Sequence, residues 1–556
     1  MHRPYSLLKA LLLSIAVFPA TTAAMQAGWD TVQGSSSAYP QGKWIIDSIS
    51  IDNRNIYDTE LERNRHFVFS LANRFHVTTR KSVILRELLF KVGDHFDSTI
   101  AEEIARNLRR RLYIYDSWIE TETLSPGHLH VKVVTIDVWS LALELNFSRE
   151  GNEERYQAGL DEKNLAGYNV ALSINYFVRT DEDNHVTARI SDHRLLGNPI
   201  SYSLSTNTDP LNKNTSLSVS LPFFNLNQRF SIGLSALKNS GRRDIYDDTL
   251  VIARSRPRGD AAALSTSCRL GSYNRKLRFS LSYRYRFESN RQFAFAKGID
   301  SAQKQLALKS FPDDSLYHQP GLGIAVTDRN FYKATKIDGF NYTEDIILGH
   351  SAGVSYSRAF GSGLRGFAFD RANMSLAVTG RKGASLWMLA YLRSFWFEGR
   401  TDIRRTSTLD FRFYNTRLPW LTVATRLLYQ RDWRATSAEG LSLGGSSGLR
   451  GYDLHFLTGD RRAIANLEGR FFSGVEFLSA MLGGVVFADI GRTWKADESF
   501  SFRDYFFSVG AGLRISLERI SRSKIIRIDI AYSESSGLQL SIGNGQYFGG
   551  RSPVSP

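Results

Sequence analysis

Residues 277–287 read LRFSLSYRYRF, with a large apolar or aromatic side chain at every odd position and Arg or Ser at every even one. Successive side chains of a β-strand point to opposite faces, so this stretch predicts a strand with one apolar face and one face that carries three arginines. The arginine face requires water or counter-charge, because a charged group is costly to bury alone. The strand is therefore expected to separate an apolar environment from an aqueous one.

The same two-residue period recurs from Trp139 almost to the C-terminus, and polar stretches such as 239–248 separate the alternating segments. A soluble sandwich alternates in the same way and is the alternative. Here the alternation continues without a second core, and about 16 strands over residues 141–548 leave about 25 residues for each strand and its loop, which suits an outer-membrane barrel. We therefore predict an all-β transmembrane barrel of about 16 antiparallel strands over 139–548, with a tail at 549–556. Further alternating segments lie at 170–178, 217–223, 409–413, 509–517 and 526–532.

The first residues have the three-part pattern of a cleaved secretory signal. Basic side chains precede an apolar core at 10–18, and small residues follow it. This pattern predicts a signal peptide over 1–24, and the Ser/Gly-rich composition of 25–42 predicts a flexible leader. Beyond the signal no uninterrupted apolar run approaches the roughly 18 residues of a transmembrane helix, so membrane insertion is expected to use strands.

Residues 43–138 differ from the rest of the chain because their periodicity changes type several times. The segment begins with a strand and continues with helices predicted over Thr79–Lys91 and after Asp97, a favourable N-cap residue. Strands over 113–123 and 128–138 complete the segment. The order strand, helix, helix, strand, strand predicts one small α+β domain ahead of the barrel.

Composition excludes several chemistries. The lone cysteine, Cys268, excludes an intramolecular disulfide and a cysteine-built metal site, and the 11 histidines show no paired ligand spacing, so no metal and no cofactor are expected. The formal net charge is +15, and four basic residues cluster at Arg106, Arg109, Arg110 and Arg111. Such a cluster suits either nucleic-acid phosphates or a solvated helix end. In an exported protein we favour the helix end, so no nucleic acid and no nucleotide are expected as partners.

Two short patterns resemble enzyme motifs without their context. Residues 444–448 (GGSSG) satisfy G-x-S-x-G, but a nucleophile elbow needs a strand before it and a helix after it. Residues 361–366 (GSGLRG) satisfy G-x-G-x-x-G, but no βαβ unit supplies a helix N-terminus for a pyrophosphate. We therefore predict no catalytic residue and no enzyme activity.

The stretches LGGSSGLRGYDLHFLTGDRRAIANLEGRFF (443–472) and VVFADIGRTW (485–494) carry a different signal. Together they resemble the BamA, TamA and two-partner-secretion (FhaC/ShlB-like) transporter superfamily of outer-membrane barrels. In that superfamily an Arg-Gly-Phe/Tyr loop tip accompanies a Phe-x-Asp-x-Gly motif on the inner barrel wall. The matching residues here are the tip Arg450, Gly451 and Tyr452, the wall residues Phe487, Asp489 and Gly491, and the acidic Glu468 on the intervening strand.

The resemblance implies that the loop folds back into the lumen and that Arg450 pairs with Asp489. A planar guanidinium suits a carboxylate in such a restricted cavity. Gly451 is expected to permit a tight turn and Gly491 to leave room at the wall. The alternative is a solvated arginine and an unrelated strand acid. A second Arg-Gly-Phe at 365–367 has no wall motif at a comparable distance, so we interpret it as a coincidental match.

The domain over 43–138 resembles a single POTRA domain, which in this superfamily lies in the periplasm ahead of the barrel. The resemblance implies a function in which an unfolded β-rich client protein adds a strand to the edge of the POTRA sheet. It also implies that the barrel, inserted in outer-membrane lipid of a Gram-negative bacterium, translocates the client or inserts it. Secretion and insertion both remain open. The alternative function is a passive channel in which the basic lumen selects anions.

Overall fold

The computed structural model describes most of the chain beyond the predicted leader. Residues 40–556 form one compact unit, to which all the elements below belong. The predicted signal peptide over 1–24, nearly all of the leader over 25–42, and the tail beyond residue 549 lie outside the described residues. The described residues are 39–40, 43–57, 67–150, 153–179, 182–247, 250–289, 293–310, 314–362, 370–398, 401–434, 441–445, 447–453, 456–477, 480–495, 498, 504–520 and 525–549.

The N-terminal domain contains a three-stranded sheet and helices. In the sheet, β1 runs parallel to the central strand β3, and β2 runs antiparallel to it. The Asp97 carboxylate accepts the Thr99 backbone N–H at 2.7 Å and caps the longest helix, α3, whose Ile104 and Leu108 are buried as predicted. The elements are β1 (Ile45–Arg54), α1 (Phe67–Phe75), α2 (Lys81–Leu85), α3 (Ser98–Arg109), β2 (Ile114–Ser125) and β3 (His128–Asp137).

Two details of this domain differ from the prediction. The helix predicted over Thr79–Lys91 is only the five-residue α2. Just after it, the buried Glu87 carboxylate is held by Arg111 and Arg194, each at 2.8 Å, and this tertiary contact prevails over the local helical period. Helix α1 was not predicted, because its short apolar run does not distinguish a helix from a strand by period alone.

The rest of the chain is dominated by β-strands. They are β4 (Leu141–Glu150), β5 (Glu153–Glu162), β6 (Val170–Arg179), β7 (Glu182–Asp192), β8 (Ser201–Asn207), β9 (Lys213–Leu221), β10 (Phe230–Ser240), β11 (Arg243–Asp247), β12 (Leu250–Ser255), β13 (Arg258–Leu270), β14 (Arg275–Ser289), β15 (Phe293–Phe295), β16 (Ser315–Ala334), β17 (Glu344–Arg358), β18 (Phe360–Ser362), β19 (Asp370–Lys382), β20 (Ser385–Glu398), β21 (Thr401–Leu418), β22 (Leu421–Arg434), β23 (Leu441–Leu443), β24 (Leu457–Gly459), β25 (Arg461–Phe477), β26 (Ala480–Trp494), β27 (Phe506–Ser516), β28 (Ile525–Ser533) and β29 (Gly537–Asn544). A fourth helix, α4 (Ser301–Ser310), lies between β15 and β16.

Most of these strands form one antiparallel sheet with the order of a barrel, which confirms the predicted fold class. The order contains 21 segments, and β18 continues β17 in the same register against β16, so the described residues supply 20 strand positions. The prediction of about 16 strands was therefore wrong. Several early strands are only 7 to 11 residues long and are joined by short turns, so the chain completes more strands than an allowance of about 25 residues each permits.

Alternation along each strand sorts its side chains between the two faces of the wall. On β26 the outward Val486 and Ile490 are 51% and 39% exposed, whereas the inward Phe487 and Asp489 are 6% and 0% exposed. The outer face of this strand is therefore apolar as predicted, whereas its inner face carries the charged Asp489 beside the apolar Phe487.

Smaller elements lie outside the barrel sheet. Strands β11, β12 and β15 form a three-stranded sheet, and β23 pairs with β24. Helix α4 packs on the first of these sheets through Ala307, which is buried in one cluster with Ile245 and Ile252. In the described ranges no helix has the length and apolar character that a membrane-spanning helix needs.

The N-terminal domain lies against one end of the barrel, which we call the mouth. The contacts include a small apolar cluster of Tyr115, Val138 and Tyr342, and polar pairs with turns or strand ends from well-separated parts of the barrel. Arg109 makes a bidentate contact at 2.8 and 2.6 Å, which fixes orientation as well as distance. The contacts pair Thr79 with Asn164, Glu87 with Arg194, Arg109 with Asp345, and Asp116 with Thr343.

Candidate functional site

The loop between β22 and β25 carries the predicted tip and enters the barrel. We call it the lumen loop, and its described residues are 441–445, 447–453 and 456–460. Gly444, Gly448 and Gly451 have φ values of +137°, +128° and +79°, which side chains rarely adopt. These glycines let the loop turn back on itself, and Arg450 at its tip is 2% exposed.

Arg450 contacts both acidic residues that the motifs singled out. Its Nε and Nη2 donate to the two oxygens of Asp489 at 2.7 and 2.8 Å, and its backbone N–H donates to the same carboxylate at 3.2 Å. Its Nη1 donates to Glu468 at 2.7 Å. Strands β25 and β26 pair Glu468 with Phe487 and Asn466 with Asp489, so the inward residues of both strands meet the loop. The structure thus brings Arg450, Asp489 and Glu468 together.

Two aromatic rings enclose the Arg450 guanidinium. The Phe487 ring centroid lies 3.5 Å from Cζ on one side, and the Tyr547 ring lies 4.0 Å away. A Cβ on Gly510 would lie 2.3 Å from the Phe487 ring, so glycine on the adjacent strand makes room for that ring. A desolvated cation between π faces gains electrostatic energy that water does not supply.

The other predicted residues pack the loop against the wall. Tyr452 is buried, and its hydroxyl donates to the Phe507 carbonyl at 2.8 Å. A Cβ on Gly451 would lie 3.0 Å from the Ala531 Cβ, and one on Gly491 would lie 2.9 Å from Leu443 Cδ2. Both glycines therefore permit a close approach of loop and wall.

Four further charged residues join this site or lie at its edge, and sequence reasoning missed them. Arg470 Nε donates to Glu468 at 2.9 Å, and Arg514 Nη1 donates to Asp529 at 2.5 Å. Asp529 also lies 3.6 Å from Arg450. We call the set the lumen network: Arg450, Arg470, Arg514, Glu468, Asp489 and Asp529, with Arg527 at its edge, 3.5 Å from Asp529. For Asp529 the sequence did offer a signal, because its place between Ile528 and Ile530 in an alternating strand directs its carboxylate inward.

The C-terminal segment, residues 545–549, completes the site. The barrel was predicted to extend to 548, but the last strand ends at Asn544 and the chain then turns into the lumen. Phe548 is buried against Tyr414 on the inner face of β21, and its carbonyl accepts from Arg470 at 2.7 Å. The Tyr547 hydroxyl donates to the carbonyl of Gly445 in the lumen loop at 2.7 Å. This segment therefore ties the end of the last strand to the loop tip.

The remaining motifs lie partly or wholly outside the described residues. In the GGSSG stretch, Ser447 Oγ donates to the Gly444 carbonyl at 2.7 Å within a turn, and Ser446 lies outside the described residues. The second Arg-Gly-Phe, at 365–367, also lies outside them. No group of three or more His, Cys, Asp or Glu side chains in the described ranges could hold a metal ion.

The arginine cluster of α3 was interpreted as a solvated helix end, and this was wrong for Arg106 and Arg109. Their exposed fractions are 8% and 2%, because the helix lies against the barrel mouth. Arg109 pairs with Asp345 of the barrel and Arg111 with Glu87 of its own domain. Burial against a distant part of the chain was not visible from the helical spacing.

Neither a protein-family model nor a curated protein matches the sequence. Among solved structures, the chain is similar to CdiB from Acinetobacter baumannii at 13% sequence identity, over 90% of this chain and 73% of that chain, with a TM-score of 0.40. It is similar to BamA from Haemophilus ducreyi lacking POTRA domains 1–3 at 12% identity, over 90% and 84% of the two chains, with a TM-score of 0.32. For the FrpB iron transporter from Neisseria meningitidis the identity is 11%, the coverage 78% and 87%, and the TM-score 0.34. At these identities the likeness concerns the fold alone.

Proposed function

We propose that this protein is an outer-membrane β-barrel that translocates β-rich client proteins across the membrane or inserts them into it. The barrel crosses the membrane, and the N-terminal domain acts as a single POTRA domain in the periplasm. The Arg450 contact with Asp489 and Glu468 is the observation that supports this function most strongly. A loop held inside the lumen by a buried charge network provides a part that can be released when a client passes.

The N-terminal sheet suits the capture of an unfolded client. Its order β1–β3–β2 leaves β1 and β2 as the outer strands, and each has one sheet neighbour among the described strands. Backbone N–H and C=O groups on such an edge can pair with an incoming strand of many sequences. The client is therefore expected to be recognised by its backbone and its alternating pattern.

The junction between the first and last barrel strands supports an opening route. The sheet order places β29 beside β4, and outward side chains there are unusually exposed. Leu143 and Leu145 are 75% and 80% exposed and Ile542 is 70% exposed, against 53% for Ile530 on the adjoining strand. Neighbouring strands cover these side chains little. This is expected for a junction that opens toward lipid at a low cost in free energy.

The alternative, a passive anion-selective channel, receives less support. A passive pore conducts through an open, water-filled lumen. Here the lumen loop and the C-terminal segment both occupy the interior and bond to each other through Tyr547 and Gly445. A plain channel has no evident need of either contact.

The test is a quantitative proteomic comparison of outer membrane and medium from cells with and without the protein. Loss of one specific protein from the medium indicates a secretion transporter, and depletion of barrel proteins from the membrane indicates an insertion factor. Unchanged proteomes together with an anion-selective conductance of the purified protein in planar bilayers would favour the passive channel.

A further inference from the structure

A second group of buried charges lies at the mouth, where α3 contacts the barrel wall. We call it the mouth cluster: Glu103 and Arg106 of α3, with Arg269, Lys276 and Arg329 of the barrel. All five are buried, with exposed fractions of 3%, 8%, 5%, 6% and 1% in that order. The cluster therefore places four cations and one carboxylate in a region that water barely reaches.

The single carboxylate is already occupied by neutral donors. One Glu103 oxygen accepts the Leu226 backbone N–H at 2.6 Å, and the other accepts the Tyr273 hydroxyl at 2.8 Å. Across the described part of the chain, none of the four cations lies within ion-pair distance of a carboxylate. The mouth cluster is thus short of negative charge by about three units.

Arg106 and Arg269 have other partners, whereas two nitrogens of Arg329 have none among the described residues. Arg106 lies over the Phe331 ring at 3.5 Å, and Arg269 donates to the Asn225 and Gln228 carbonyls at 2.7 and 3.1 Å. The structure shows no hydrogen-bond partner for Nε and Nη2 of Arg329, although both atoms are buried. An unpaired buried guanidinium is costly, and proteins normally pair such a group with an anion.

We propose that the mouth cluster is an oxyanion-binding site that takes a phosphate group. The guanidinium of Arg329 offers two adjacent N–H donors that match two phosphate oxygens, and Lys276 adds a compact point charge. Phosphate brings up to two negative charges, which offset most of the excess positive charge of about three units. The bound group bridges α3 to β14 and β16, so it stabilises the docked N-terminal domain. This inference does not depend on the identity of any client.

The first test is isothermal titration calorimetry of the full-length protein in neutral detergent and chloride buffer with inorganic phosphate. Wild-type protein should show saturable binding, and Arg329→Gln and Lys276→Gln should each weaken it about tenfold or more, as expected when one partner of a buried charge pair is removed. The matched control is Arg284→Gln, because Arg284 is an exposed arginine on β14. Binding that persists unchanged in Arg329→Gln would overturn the proposal.

The same titration with short-chain phosphatidylglycerol and phosphatidylcholine distinguishes the sources of the phosphate group. Binding of inorganic phosphate identifies a free ion, whereas Arg329-dependent binding of phosphatidylglycerol alone identifies a lipid headgroup. Binding of none of the three probes refutes the site.

Thermal unfolding separates a ligand site from a structural role for Arg329. In phosphate-free buffer, Arg329→Gln relieves repulsion among unpaired cations, so its unfolding temperature should rise above that of wild type. Added phosphate should then raise the unfolding temperature of wild type and not that of the variant. A variant that unfolds at a lower temperature in phosphate-free buffer would show that Arg329 supports the fold itself, against the proposal.

Discussion

The lumen network and the mouth cluster are both built around buried arginines, but they differ in charge balance. In the lumen network, Arg450, Arg470 and Arg514 face three carboxylates, and the pairs lie at hydrogen-bond distance. In the mouth cluster, four cations surround one carboxylate that neutral donors already occupy. The first arrangement therefore balances its own charges, whereas the second requires an anion from outside this chain.

Removal of Arg450 should give the largest effect, because it leaves Asp489 and Glu468 buried without their shared cation. Breaking a buried pair in this way costs about 3–5 kcal/mol, so Arg450→Ala should release the lumen loop while the barrel stays folded. The measurement is protease cleavage within 441–459 in intact cells, with heat-modifiable gel migration as the test for the folded barrel. Arg284→Ala is the matched control. If the lumen loop of Arg450→Ala resists protease as the wild-type loop does, Arg450 does not hold the loop in the lumen.

The two acidic partners of Arg450 should differ in how strongly they hold the lumen loop. Asp489 accepts two guanidinium bonds and one backbone bond from residue 450, whereas Glu468 accepts one bond from Arg450 and shares its charge with Arg470. Each hydrogen bond to a charged group contributes about 1.5–3 kcal/mol, so Asp489→Asn should release the loop more readily than Glu468→Gln. The same protease assay ranks the two variants, and the reverse order would contradict the assigned geometry.

Asp137 in the N-terminal domain is a buried acid, and no cation of the described residues lies within ion-pair distance of it. Burial raises its pKa to about 7, although the Thr79 backbone N–H donates to it at 2.6 Å. Its folded-state pKa exceeds the unfolded value of 3.8, so the folded state binds the proton more tightly and stability falls as pH rises from about 4 to about 7. The loss is about 1.4 kcal/mol for each pH unit in that window.

Asp137→Asn imitates the protonated acid and should remove this pH dependence. The variant should unfold at a higher temperature than wild type at pH 8 and at nearly the same temperature at pH 4, with circular dichroism as the measurement. Destabilisation of the variant at pH 8 would show that the ionised carboxylate supports the domain.

Tyr547, which contacts the lumen network, should give the smallest effect. Its ring stacks on Arg450 and its hydroxyl bonds to Gly445, and a cation–π contact contributes about 0.5–2 kcal/mol. Tyr547→Ala should increase single-channel conductance in planar bilayers by loosening the C-terminal segment, and Tyr547→Phe should lie between it and wild type. Equal conductance in all three proteins would mean that the segment does not restrict the lumen.

The sequence was sufficient for features that depend on local pattern. Alternation along segments such as 277–287 indicated a wall with two different faces, and the pair of motifs around Arg450 and Asp489 indicated a loop that meets the wall. Both inferences depend on spacing within a strand or on a resemblance, and neither requires knowledge of which strands are neighbours.

Features that depend on contacts between residues far apart in the sequence were not predictable. Asp529 and Arg514 enter the lumen network only because β27 and β28 follow β26 around the barrel. The barrel was predicted to extend to 548, but Phe548 packs against Tyr414 on the inner face of β21. The burial of Arg106 likewise depends on where the N-terminal domain docks, which no periodicity records.

The most direct test of the proposed transport function is the comparative proteome of outer membrane and medium from cells whose only copy of the protein carries Arg450→Ala. Cells with wild type, without the protein, and with Arg284→Ala complete the set. The proposed function predicts that Arg450→Ala loses the same proteins as the deletion, although the variant barrel is present in the membrane at the wild-type amount. A wild-type proteome in the Arg450→Ala cells, with changes in the deletion, would contradict a function of Arg450 and the lumen loop in client transport.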